Sequence, residues 1–365
     1  DFQVSEFQQN PQLVNDFLRK KKESIPHFIN RFRKPFNQNH FNYANILINT
    51  SQQVCDELIV IGLFDNIQSG IYDSMRFMQA EKDLIRYWIL ALHIINEIAK
   101  NCSPNMVLFE YIRDICCVFF DDFFTPDVIL QSVECLITVT SLINDMSIIT
   151  PISDYLPFFD QILCENHVLE EVKPIIQLIC NISTKSIEID FFKNQFVQHL
   201  IEISIEWDEY KFESVFENLY KILTFTLQYH KSLITDITQS NVLNLAVFYF
   251  NEGGCSIKNE LLRFFSRLCD DCFYEYVSDF FEENSEIISS LFLMLQTDIS
   301  EKSKIIIIHA LTTLAINLKE RSKILPNLIS QYQLQSSFDA YMEVKDSENE
   351  YIVNECILLN RAVNN

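Results

Sequence analysis

Val172-Lys173-Pro174-Ile175-Ile176-Gln177-Leu178-Ile179-Cys180-Asn181-Ile182-Ser183 is the stretch whose reading decides the fold. Val172, Ile175, Ile176, Ile179 and Ile182 recur at the spacing of one buried helical face. Glu170 and Glu171 precede that face and Lys185 follows it, as the helix dipole favours. Pro174 is expected in the first turn, where a missing N–H costs nothing. Asn181-Ile182-Ser183 closes the helix, and Phe191-Phe192 opens the next apolar segment.

The unit recurs along the chain. Helices of the same pattern are expected at Phe41–Ser51, Arg86–Lys100, Leu130–Asp145, Val215–Leu227, Glu260–Cys269, Lys304–Leu318 and Tyr351–Val363. With Asn181 as reference, the equivalent positions are 49, 97, 141, 181, 224, 267, 315 and 360, at intervals of 48, 44, 40, 43, 43, 48 and 45 residues. That period belongs to armadillo and HEAT arrays. A second signal precedes the reference position in some units. Ser24-Ile25-Pro26-His27-Phe28-Ile29, Tyr155-Leu156-Pro157-Phe158-Phe159 and Ile324-Leu325-Pro326-Asn327 each place proline at a helix start. Ile61-Gly62-Leu63-Phe64 fills the matching place elsewhere, and Gly62 permits a sharp bend between two helices. Three helices per period is the armadillo arrangement. The expected fold is therefore all-α, a right-handed armadillo-type solenoid of about eight three-helix repeats spanning 24–365. Residues 1–23 form a charged lead-in. Gln68–Asp83, Asn251–Lys258 and Gln331–Asn349 read as polar loops between units.

Composition agrees with long helices. The 365 residues include 4 Gly and 9 Pro, too few for many tight turns, while 48% are hydrophobic and 31 are Phe. Four scattered glycines cannot write a phosphate-binding loop. The net charge is −22, yet residues 1–40 carry seven basic and four acidic side chains. An acidic body disfavours nucleic acid and anionic membranes, so neither is expected as a partner, and it admits a cationic one. The longest apolar window, Ile305–Leu318, is interrupted by polar residues and too short to span a bilayer. Eleven cysteines, an odd number without a small framework, read as reduced intracellular thiols. Cys269-Asp270-Asp271-Cys272 lacks the second ligand pair of a zinc site, and no metal or other cofactor is expected. The seven histidines are dispersed and no catalytic motif occurs. Asp121-Asp122, Asp270-Asp271 and Glu282-Glu283 read as solvated turn residues, so no enzymatic activity is expected.

Ser24–Phe32, Ile61–Phe64, Glu134–Asp145 and Pro174–Ser183 resemble successive units of importin-α, the armadillo adaptor that carries basic nuclear import cargo. The resemblance covers most of residues 24–320. It implies a concave groove lined by the third helix of each unit, where Asn side chains hold an extended peptide and a Trp four residues earlier packs a cargo lysine. Carried over, the Asn position is Asn49, Asn181 and Asn360, replaced elsewhere by Glu97, Ser141, Thr224, Arg267 and Ala315. The Trp position holds Asn45, His93, Ile137, Gln177, Tyr220, Arg263, Leu311 and Cys356; no Trp stands there. Glu97 and Asp145 would attract a basic segment, whereas Arg263 and Arg267 would repel it. The resemblance further implies an importin-β-type carrier meeting the basic clusters Arg19–Lys22 and Arg31–Lys34, and a cytoplasmic protein that shuttles to the nucleus. The other reading of the same array is a cytosolic scaffold for a partner with no basic signal.

Overall fold

The computed structural model describes residue 32 and residues 38–76, 82–120, 124–165, 169–185, 196–207, 213–269, 273–294, 301–318 and 357. These hold seventeen α-helices and, among the described residues, no strand. The chain divides into two compact units, 1–189 and 190–365, inside what the sequence reads as one array.

The first unit contains α1 (Gln38–Ile48), α2 (Gln52–Val60), α3 (Leu63–Met75), α4 (Lys82–Asn101), α5 (Met106–Cys117), α6 (Pro126–Leu142), α7 (Met146–Ser153), α8 (Leu156–Glu165) and α9 (Leu169–Ser183). The helices carrying the repeated pattern pack in series: α1 on α4, α4 on α6, α6 on α9. The face read from the sequence of α9 is buried as expected; Val172, Ile175, Ile176, Ile179 and Ile182 are at most 1% exposed. Each such side chain contributes roughly 1.5–3 kcal/mol on leaving water, and the neighbouring layer supplies the apolar surface. Thiols add links between layers: Cys135 Sγ lies 3.2 Å from Leu92 O, across α4 and α6.

The second unit contains α10 (Phe196–Trp207), α11 (Glu213–Tyr229), α12 (Leu233–Gln239), α13 (Val242–Glu252), α14 (Cys255–Leu268), α15 (Tyr274–Glu283), α16 (Ser285–Met294) and α17 (Glu301–Leu318). Again the pattern helices pack in series, α11 on α14 and α14 on α17. Phe216, Phe264, Phe265 and Phe281 are fully buried and form part of its core.

Local signals were partly legible. Gly62 has φ of +98° between α2 and α3, the bend expected of it. Pro157, expected at a helix start, stands in the first turn of α8. Pro174, expected in a first turn, lies inside α9, because the helix begins at Leu169 rather than beyond the acidic pair. The expected loop from Gln68 is instead the second half of α3, where Ile71 and Ser74 are buried. The loop Asn251–Lys258 shrinks to Gly253-Gly254 between α13 and α14. Two described helices precede the long one in α2–α3–α4, α7–α8–α9, α12–α13–α14 and α15–α16–α17, but one precedes it in α5–α6 and α10–α11. The expected elements at Ser24–Ile29, Ile324–Asn327, Gln331–Asn349 and Tyr351–Val363 lie outside the described residues, residue 357 excepted, as do the basic residues of both N-terminal clusters.

Candidate functional site

In the first unit, the positions read from the sequence as a groove lie on α1, α4, α6 and α9 or just past their ends. Asn49 Nδ2 donates to Asn45 O at 2.9 Å and to Asn45 Oδ1 at 2.8 Å. Asn101 Nδ2 crosses from α4 to Asn49 Oδ1 at 3.1 Å. Glu97 pairs with Lys100 Nζ at 2.8 Å, with its side chain 13% exposed. Burial alone would raise the Glu97 carboxyl. Hydrogen bonds from Lys100 and Asn49, with the charges of Lys100 and His93, outweigh that and hold it below the usual range. An open depression of about 420 Å³ has Asn45, Ile46, Asn49 and Thr50 in its wall. The structure thus joins Asn45, Asn49 and Glu97 in one polar network, with half-buried His93 beside Glu97.

Further along, Thr138 Oγ1 donates to Asn96 Oδ1 at 2.6 Å between α4 and α6. Asn181 Nδ2 on α9 reaches Ile137 O at 3.3 Å and Thr140 Oγ1 at 3.2 Å on α6. Gln177 Nε2 donates to Asn181 Oδ1 at 3.2 Å. Ser141 is exposed, and its hydroxyl returns to Thr138 O at 2.8 Å. Lys185 does not serve only the helix it follows. Its Nζ donates to Thr140 O and to Ile143 O, the latter at 2.8 Å, closing the C-terminus of α6. Asp145 is not on a pattern helix. It caps α7 by accepting from Ser147 N at 2.8 Å, and the Ser147 hydroxyl and N–H hold its exposed carboxyl below the usual range. Asn96, Asn101 and Thr138 were missed. Asn96 and Thr138 stand one position from Glu97 and Ile137, and Asn101 one turn beyond Glu97; each gains meaning only from the neighbouring helix.

In the second unit Tyr220 is a correction. Its side chain is 0% exposed, its hydroxyl donates to Val242 O at 3.0 Å, and its ring lies 5.2 Å from that of Phe264. It belongs to the core and offers nothing to a ligand. Thr224 is half-buried and donates to Tyr220 O at 2.7 Å. Arg263 is exposed and paired with Glu260 at 2.8 Å, and Arg267 is half-buried. Trp88, in the first unit, is a core residue whose Nε1 donates to Ser74 Oγ at 2.8 Å. Of the Cys269–Cys272 pair, Cys269 is buried and Cys272 lies outside the described residues.

No protein-family model matches the chain, and no curated protein does. Solved structures do. A crystal structure of an engineered protein from the Northeast Structural Genomics Consortium aligns with a TM-score of 0.65 at 10% identity. It covers 99% of this chain and 93% of that one. Two more engineered proteins from the same consortium align at a TM-score of 0.49, with 11% and 13% identity and 69% of this chain covered. At such identity the first likeness establishes an all-helical fold and nothing about activity. No helix among the described residues is long and apolar enough to cross a membrane.

Proposed function

We propose that this chain is a non-enzymatic armadillo-type adaptor, each unit a stack of helical layers, which holds an extended cationic segment of a partner protein. The segment lies along the polar side of α1, α4, α6 and α9. The carrying observation is the joined network of Asn45, Asn49, Glu97 and Asn101 beside an open depression, with the Glu97 carboxyl kept ionised. The amides offer donors and acceptors to a peptide backbone, and Glu97 offers a charge to a lysine or arginine. The importin-α resemblance makes nuclear import cargo the most specific form of this reading, with an importin-β-type carrier as second partner. A fluorescein-labelled bipartite Lys/Arg peptide tests it by fluorescence polarisation. Micromolar affinity, about −8 kcal/mol, is expected at 50 mM salt, weakening steeply as salt rises. No binding at 50 mM salt ends this reading.

A second reading has its own observation. Asn181 spends its amide on α6 rather than presenting it outward, and α5 exposes Val107 and Tyr111 one turn apart, with Val118 exposed just past its end. A scaffold that takes an apolar segment of a partner would bind there, insensitively to salt. Val107→Glu abolishing capture of a partner while leaving the basic-peptide titration unchanged would select it.

A further inference from the structure

Gly253-Gly254 turns the chain between α13 and α14 with almost no loop, and beside that turn the second unit has an open depression of about 510 Å³. Its described walls are Glu213, Phe248, Tyr249, Asn251, Glu252 and Gly253. Phe248 is 40% exposed on a helix whose other large apolar residues are mostly buried. Its ring stands edge-on to Tyr249 at 5.2 Å, and Tyr249 packs on Phe216 at 4.7 Å, so the exposed ring rests on a fixed aromatic base. Glu213 Oε1 is held by Gly254 N at 2.7 Å, and Glu252 is exposed at the end of α13. Among the described residues, no ion pair engages Glu213 or Glu252, and Lys258 directs its ammonium to Asn251 O at 3.1 Å. A Cβ at Gly254 would come within 2.8 Å of the Glu213 carboxylate, so a larger residue there would displace the end of that side chain.

We propose that this depression is a second docking point, which takes an arginine side chain of a partner protein. The guanidinium stacks on the open face of Phe248, its N–H groups reach the carboxylates of Glu252 and Glu213, and Tyr249 walls the side-chain stem. An apolar side chain would leave two carboxylates desolvated, and an anion would be repelled by both. The site lies in the second unit and stands independently of the ladder on α1, α4, α6 and α9, so either can fail without the other.

The test uses the full chain carrying 4-fluorophenylalanine at position 248, observed by fluorine NMR. It is titrated with acetyl-Gly-Arg-Gly-amide and with the citrulline analogue, which keeps the shape and loses the charge. The arginine peptide is expected to shift the 248 resonance saturably with a dissociation constant of about a millimolar, and the citrulline peptide to give no saturable shift. In unlabelled protein followed by calorimetry, Phe248→Ala is expected to weaken binding roughly three- to thirty-fold and E252Q several-fold. Both positions are at the surface, and unchanged circular dichroism verifies folding. No saturation by the arginine peptide, equal response to citrulline, or full affinity in both variants overturns the proposal.

Discussion

Gly70 looks like any glycine in a helix, yet its neighbours forbid a larger residue. A Cβ there would run into the Tyr87 hydroxyl and stand 2.7 Å from Phe32 O, the two groups joined by a 2.9 Å hydrogen bond. Gly70→Ala is expected to lower stability by about 1–3 kcal/mol despite better helix propensity, read as a fall in the urea midpoint. Tyr87→Phe in the same background should recover part of that loss, because it removes the atom in the way. Glu97 contributes to the pH response of the first unit. Its folded-state pKa lies below the unfolded value, so its contribution is complete above the unfolded carboxyl pKa and is lost as pH falls through the folded one. Thermal melts at descending pH should show Glu97→Gln losing less stability than the wild type below the ordinary glutamate range; equal slopes would contradict the ion-pair account. Neither residue announced itself in the sequence. Glu97 was found by counting periods, and Gly70 depends on Phe32 and Tyr87, which arrive from distant positions.

Two helices show how element-scale signals succeed and fail. At Gly62 a left-handed turn joins α2 to α3, and the sequence pattern Ile-Gly-Leu-Phe was enough to place it. Gly62→Ala is expected to cost about 1 kcal/mol in denaturant unfolding, since an L side chain is strained at φ +98°. In α9, Pro174 lies past the first turn and removes one backbone hydrogen bond. Pro174→Ala should therefore slow amide exchange in α9 and raise stability by about 1–3 kcal/mol. Unchanged exchange would mean that the helix starts at the proline after all. The boundary was misread because acidic residues signal a helix start equally well from just outside it or from its first turn.

Across the molecule, charge and aromatic core act in opposite directions. A net charge of −22 spreads self-repulsion over both units, while buried phenylalanine, isoleucine and leucine hold each together. Raising salt from about 20 to 300 mM, which cuts the screening length to below 10 Å, is expected to raise the melting temperature. The same change should weaken a basic peptide on the polar ladder. Opposite salt slopes for stability and for peptide binding are the joint signature; parallel slopes would separate the acidic surface from any cationic partner.

The all-helical class and the buried face of α9 were determined by sequence alone, because a helix that must hide one stripe writes its spacing into its residues. The polar ladder was legible only as positions. That Asn49 answers Asn101, that Lys185 closes α6 and that Tyr220 turns inward to Val242 were decided by tertiary structure. Those bonds join residues 22 to 52 apart in sequence, and a polar side chain beside an apolar stripe gains its role from whichever helix packs next to it.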